Sequence, residues 1–99
     1  MPDQDTVYAV LKQIHDPEVG INIVDMGLIY GLELEDSKVG VYMTLTSPAC
    51  PAGPMILSQI DDKLRELEGV DEVDVNVVWS PPWTPDMMSE EAKDELGIF

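Results

Sequence analysis

Leu28-Ile29-Tyr30-Gly31-Leu32-Glu33-Leu34-Glu35-Asp36-Ser37-Lys38-Val39-Gly40-Val41-Tyr42-Met43-Thr44-Leu45-Thr46 is the stretch that decides the fold. Leu28, Tyr30, Leu32 and Leu34 alternate with Ile29, Gly31, Glu33 and Glu35, the period of a half-buried strand. Glu35-Asp36-Ser37-Lys38 has turn composition. After it, Val39, Val41, Met43 and Leu45 alternate with Gly40, Tyr42, Thr44 and Thr46. Two such runs joined by a short polar turn predict an antiparallel hairpin with one apolar face. Leu32 and Val41 should share that face.

Outward from the hairpin the period changes. Upstream, Val7, Val10, Leu11 and Ile14 recur at helical spacing between Gln4 and His15, with Asp5 or Thr6 as cap and Asp16-Pro17 as stop. Glu18 to Gly27 is apolar in part but has no clean period. Downstream, Ser47 to Pro54 breaks the second strand. A second helix follows, from Pro51 or Pro54 to Glu68, with Ile56 or Leu57, Ile60, Leu64 and Leu67 in its stripe and Gly69 as its stop. Val73, Val75 and Val77 mark a third strand. The prolines of Ser80-Pro81-Pro82-Trp83-Thr84-Pro85 exclude regular structure, and Ser89-Glu90-Glu91 has the look of the cap and first turn of a short last helix.

Helix, strand, strand, helix, strand and short helix predict an α/β two-layer sandwich, with two helices over one face of a three-stranded mixed sheet. The expected core comprises Val7, Val10, Leu11, Ile14, Leu32, Leu34, Val41, Met43, Leu45, Ile60, Leu64, Leu67, Val75 and Val77. With 99 residues, 44% of them hydrophobic, the chain has the apolar content for one domain over 1–99, of which 80–99 form a Pro/Trp-rich loop and short helix. A core of this size often gains from a partner subunit.

Twenty acids against five bases give a formal charge of −15. Nucleic-acid backbones and anionic membranes are bound through Lys and Arg, so both partner classes are disfavoured. The acidity reads first as a solubility device. Met1 to Asp5 has neither the basic nor the apolar region of a signal peptide, and the expected location is cytoplasmic.

Cys50 is the one cysteine. An internal disulfide, any CxxC site and a cluster held wholly within one chain are thereby excluded. It falls among Pro48, Pro51 and Pro54 at the entrance of the second helix, where backbone donors and the helix dipole favour a thiolate. The competing reading is a small buried hydrophobe. Asp16 and Glu18 offer two carboxylates on a proline-stiffened turn, or merely a turn-forming Asp with a solvated Glu. His15 could serve a thiol enzyme only with an orienting third group, and a histidine at a helix end is ordinarily a favourable charge there. Trp79 and Trp83, on a stiff proline loop, suit a recognition surface, and Met87 and Met88 an adaptable one.

Asp16 to Tyr30 (DPEVGINIVDMGLIY), Thr44 to Pro51 (TLTSPACP) and Trp79 to Thr84 (WSPPWT) resemble, in order, three motifs of the SufT/PaaD-like family of metal–sulfur cluster assembly factors. The resemblance implies an iron–sulfur cluster assembly-type fold. It also implies a non-enzymatic role in maturing iron–sulfur proteins, by carrying clusters to recipient apoproteins or by docking them as an adaptor. Other assembly factors would be further partners. Carried over by position, the functional group is Cys50 as cluster or metal ligand, supported by Asp16, Glu18, Thr46 and Ser47. Trp79, Trp83 and Met88 are candidates for partner binding. PaaD proteins carry a further cysteine-rich segment that this sequence lacks, so the resemblance does not extend to their pathway. A cluster normally takes about four thiolates. With one per chain, any cluster would be labile and shared between two subunits, completed by a small thiol, or held with carboxylate help.

Overall fold

Asp3, ahead of the expected Asp5 or Thr6, caps the first helix by accepting the Thr6 N–H at 2.8 Å in a computed structural model that describes residues 3–46 and 52–97. That N–H holds the Asp3 carboxyl below its ordinary value. The cap is therefore intact above the usual carboxylate range and is lost as pH falls through the lowered value.

Helix α1 (Gln4–Leu11) stops short of His15. The N–H groups of Gln13 and Ile14 bond three residues back, and the chain then runs beside residues 21–23. Asp16 N–H donates to Ile21 C=O at 2.9 Å and Ile23 N–H to Ile14 C=O at 2.9 Å, around an antiparallel bridge between His15 and Asn22. This pairing draws residues 13–15 out of the helix before Pro17 can act.

Strands β1 (Ile29–Glu35) and β2 (Lys38–Met43) form the expected hairpin, with Leu32 opposite Val41 and Leu34 opposite Val39. A bulge between Ile29 and Gly31 breaks the alternation read from Leu28. Helix α2 (Gly53–Arg65) leads to β3 (Glu72–Val77), which lies parallel to β2 with Val75 opposite Val41. The order β1-β2-β3 makes the sheet mixed, as expected.

Val7 and Leu11 of α1, Ile56, Ile60 and Leu64 of α2 and Val39, Val41 and Met43 of β2 are fully buried in one cluster. Each such side chain contributes about 2 kcal/mol of burial. Leu32, Leu34, Val75 and Val77 pack against this core but stay half-buried. They lie on the two edge strands, whereas β2 has a neighbour on each side. Val10 and Leu67 are half-buried as well.

Ile21, Ile23, Met26 and Leu28, from the stretch without a period, are core residues. So are Met88 and Ala92. The expectation that Met88 belongs to a contact surface is thus corrected: it is 5% exposed.

Residues 80–97 fold back as a strap that includes a turn of 3-10 helix (Pro85–Met87) and helix α3 (Glu90–Leu96), capped by Ser89 as expected. The Ser80–Pro81 peptide bond is cis. Tyr30 hydroxyl donates to Pro81 C=O at 2.7 Å, Trp83 Nε1–H to Met26 C=O at 2.7 Å, and Ser89 N–H to Asp25 C=O at 2.8 Å. Among the described residues no helix is long and apolar enough to cross a membrane.

Candidate functional site

Because β2 and β3 are parallel, their C-terminal ends share one end of the sheet. Val78 N–H donates to Met43 C=O at 2.7 Å there, just before Trp79. Beside it Thr44 N–H donates to Leu28 C=O at 2.8 Å, and Leu28 N–H to Ile23 C=O at 3.2 Å. Ile23 is in turn held to Ile14. These backbone bonds connect the turn after α1 to the end of β2, from which the chain proceeds toward Cys50.

Asp16 is 3% exposed, and its carboxylate accepts the Glu18 N–H at 2.9 Å. Its carbonyl accepts the Gly20 N–H at 2.7 Å. This is a turn-forming aspartate, the plainer of its two readings, with Glu18 exposed beside it. Thr46 is half-buried. Cys50 and Ser47, the other members of the expected group, lie outside the described residues. Among the described residues no three His, Cys, Asp or Glu side chains gather as a metal site.

Ala52 is the N-cap of α2 and contributes no side-chain acceptor, and the first turn of the helix carries no acid. Among the described residues the N–H groups at this end therefore have no carboxylate or hydroxyl cap, and the positive end of the helix dipole is not neutralised. Such an end favours an anion, and a thiolate is one kind of anion it can stabilise.

Two exposed apolar side chains stand on elements that border this region. Met55, in the first turn of α2, is 45% exposed, and Trp79 48%. Trp79 thus has the exposure expected of a partner-binding residue. Trp83 is half-buried against the core with its indole N–H spent on Met26, so its principal role is to fasten the strap. Sequence reasoning passed over Met55, which stands outside the core stripe of its helix. It also passed over Tyr30, which period two assigned to the buried face.

The opposite face of the sheet carries Glu33, Gly40 and Asp74 in one row and Glu35, Lys38 and Glu72 in the next. Lys38 Nζ lies 3.4 Å from Glu72 and 4.0 Å from Asp74. Tyr42 hydroxyl donates to Glu33 at 2.9 Å. That bond, then the Glu33 charge, raises the Tyr42 phenol above its ordinary value. The hydrogen bond is intact below the ordinary phenol range and is lost as pH rises through the raised value. Glu33→Gln keeps an acceptor but removes the charge, so phenolate absorbance in an alkaline titration should develop at lower pH in the variant. An unchanged titration would mean that the bond does not persist in solution.

Fold and site together define a small α/β domain that presents the N-terminus of α2 at one end of a mixed sheet. The sequence profile of the family described as "iron-sulfur cluster assembly protein" matches residues 4–77, and the chain belongs to that family. It is 51% identical over 84 residues, 84% of this chain and 96% of the relative, to the Fe-S protein maturation auxiliary factor SufT of Staphylococcus aureus. To the Fe-S protein maturation auxiliary factor YitW of Bacillus subtilis it is 42% identical over 96% of this chain and 94% of the relative. The crystal structure of a domain of unknown function from Bacillus anthracis superposes with a TM-score of 0.89 at 40% identity, covering 97% of this chain and 92% of that one.

Proposed function

We propose that this iron–sulfur cluster assembly protein carries clusters to recipient apoproteins in the cytoplasm, with Cys50 as the thiolate that each chain contributes. The observation that carries this reading is the N-terminus of α2, whose first turn has no acid and which no side chain among the described residues caps. A single residue, Pro51, separates Cys50 from Ala52, a span of about 7 Å at full extension. A helix end of this kind lowers the pKa of a nearby thiol and stabilises the negative charge of a thiolate-bound cluster. Asp16, Glu18, Thr46 and Ser47 are the supporting group, and the role is non-enzymatic.

The cluster is cargo. One thiolate per chain falls short of the usual set of about four, so the cluster bridges two chains, small thiols or carboxylates fill its remaining positions, and it is released readily to a recipient with more thiolates. Anaerobic reconstitution of the protein with iron and sulfide is the test. Thiolate-to-iron absorption should appear together with a change from monomer to dimer. Absorption without a change in size would remove the bridging.

The adaptor reading has its own support in the exposure of Trp79. If the protein takes up no iron yet binds apoprotein clients, that reading replaces delivery. Trp79→Ala should then weaken client binding, since an exposed rigid aromatic is a common interface anchor. Trp83→Ala should instead lower stability, through loss of packing and of the Met26 hydrogen bond, by about 2 kcal/mol. A denaturation curve beside each binding curve separates the two effects.

A further inference from the structure

The strap leaves an open apolar groove of ≈ 630 Å³ lined by Val24, Gly27, Ile29, Tyr30, Pro81 and Met87. It lies at the start of β1, an edge strand, and among the described residues no strand pairs with the outer edge of β1. An unpaired edge presents free N–H and C=O groups to any extended chain. Leu32 and Leu34 lie half-buried beside that edge, on the core side. Glu33 and Glu35 stand exposed on the opposite side. None of the five cations lines the groove.

We infer that β1 and its groove receive an extended client segment that alternates apolar with basic residues and places a bulky apolar side chain in the groove. Added antiparallel or parallel, such a strand sets its apolar positions over Ile29, Leu32 and Leu34. Its basic positions then face Glu33 and Glu35, within the reach of cross-strand pairs. A second copy of this chain is the poorer occupant. Its own β1 would bring the same two acids to the shared edge, and each chain carries −15.

The inference rests on the delivery reading only in taking the segment from a client, because the docking itself needs no iron. The probe is a short capped peptide of alternating Lys and Val with one terminal Phe, titrated into the isotope-labelled apoprotein. Amide shifts and slowed hydrogen exchange should appear along Ile29–Glu35 and at the groove residues. Glu33→Gln with Glu35→Gln should weaken binding about tenfold, as should replacing the peptide's Phe by Ser.

Equal binding of a Glu-for-Lys peptide or of a shuffled peptide would overturn the inference. So would shifts confined to Glu72–Val77, no binding at millimolar peptide, or self-association of the apoprotein through β1. If the chain takes up and delivers a cluster but shows no strand addition, this inference alone fails. Peptide binding without cluster uptake removes the delivery reading alone.

Discussion

Cys50→Ala is expected to emerge from anaerobic reconstitution colourless and monomeric, under conditions in which the unchanged protein gains thiolate-to-iron absorption and dimerises. The effect should be all or none. With two chains supplying two thiolates, loss of Cys50 leaves no thiolate at all, and oxygen donors with one imidazole per chain do not replace sulfur at a thiolate-ligated cluster. Cys50→Ser is the companion variant. It preserves size and polarity but lacks a thiolate at neutral pH, so it should fail as well. Full uptake by Cys50→Ser would exclude the thiol as ligand. A denaturation curve guards against a trivial cause, since Cys50→Ala should leave stability almost unchanged if the thiol is accessible. A loss of about 1–2 kcal/mol would favour the buried-hydrophobe reading instead.

Gly27→Ala should destabilise the fold by about 2–4 kcal/mol, two separate costs adding at one position. Gly27 has φ +79°, where an L side chain meets its own backbone. An added Cβ would also collide with the carbonyl of Met87 and come within 2.9 Å of Met87 Cβ. The strap crosses directly over this glycine, so the collision should loosen residues 80–97 before the sandwich itself unfolds. Thermal melting should fall by more than about 10 °C, and limited proteolysis should begin in the strap. Gly20→Ala supplies the control. Gly20 has φ +75° but open space at its Cβ position, so it should incur only the backbone cost of about 1–2 kcal/mol. Equal losses in the two variants would show that the close approach of the strap does not matter.

Both predictions bear on the strap and the sheet end, which were unequally legible in the sequence. The hairpin register, the parallel third strand and the stripe Ile60–Leu64 were readable because alternation and helical spacing encode which side of a regular element meets the core. The three motifs likewise carry the resemblance to the assembly family, because each is a contiguous run of residues. Helix α1 was overextended because periodicity at Ile14 persists into a turn that bonds to Asn22 and Ile23 rather than to its own helix. Ile21, Ile23 and Met26 were missed as core because an irregular segment has no period to read, its burial being set by where its backbone bonds lead.

The sequence by itself determined the layer architecture, the strand register and the chemistry available, a single thiol on a strongly acidic chain, since these depend on composition and on local spacing. Only the tertiary structure decided that Trp83 and Met88 serve the interior while Trp79 faces solvent. The same is true of the free outer edge of β1. Those outcomes depend on which distant segments meet, and a residue's own neighbours in sequence carry no record of a contact made about fifty positions away.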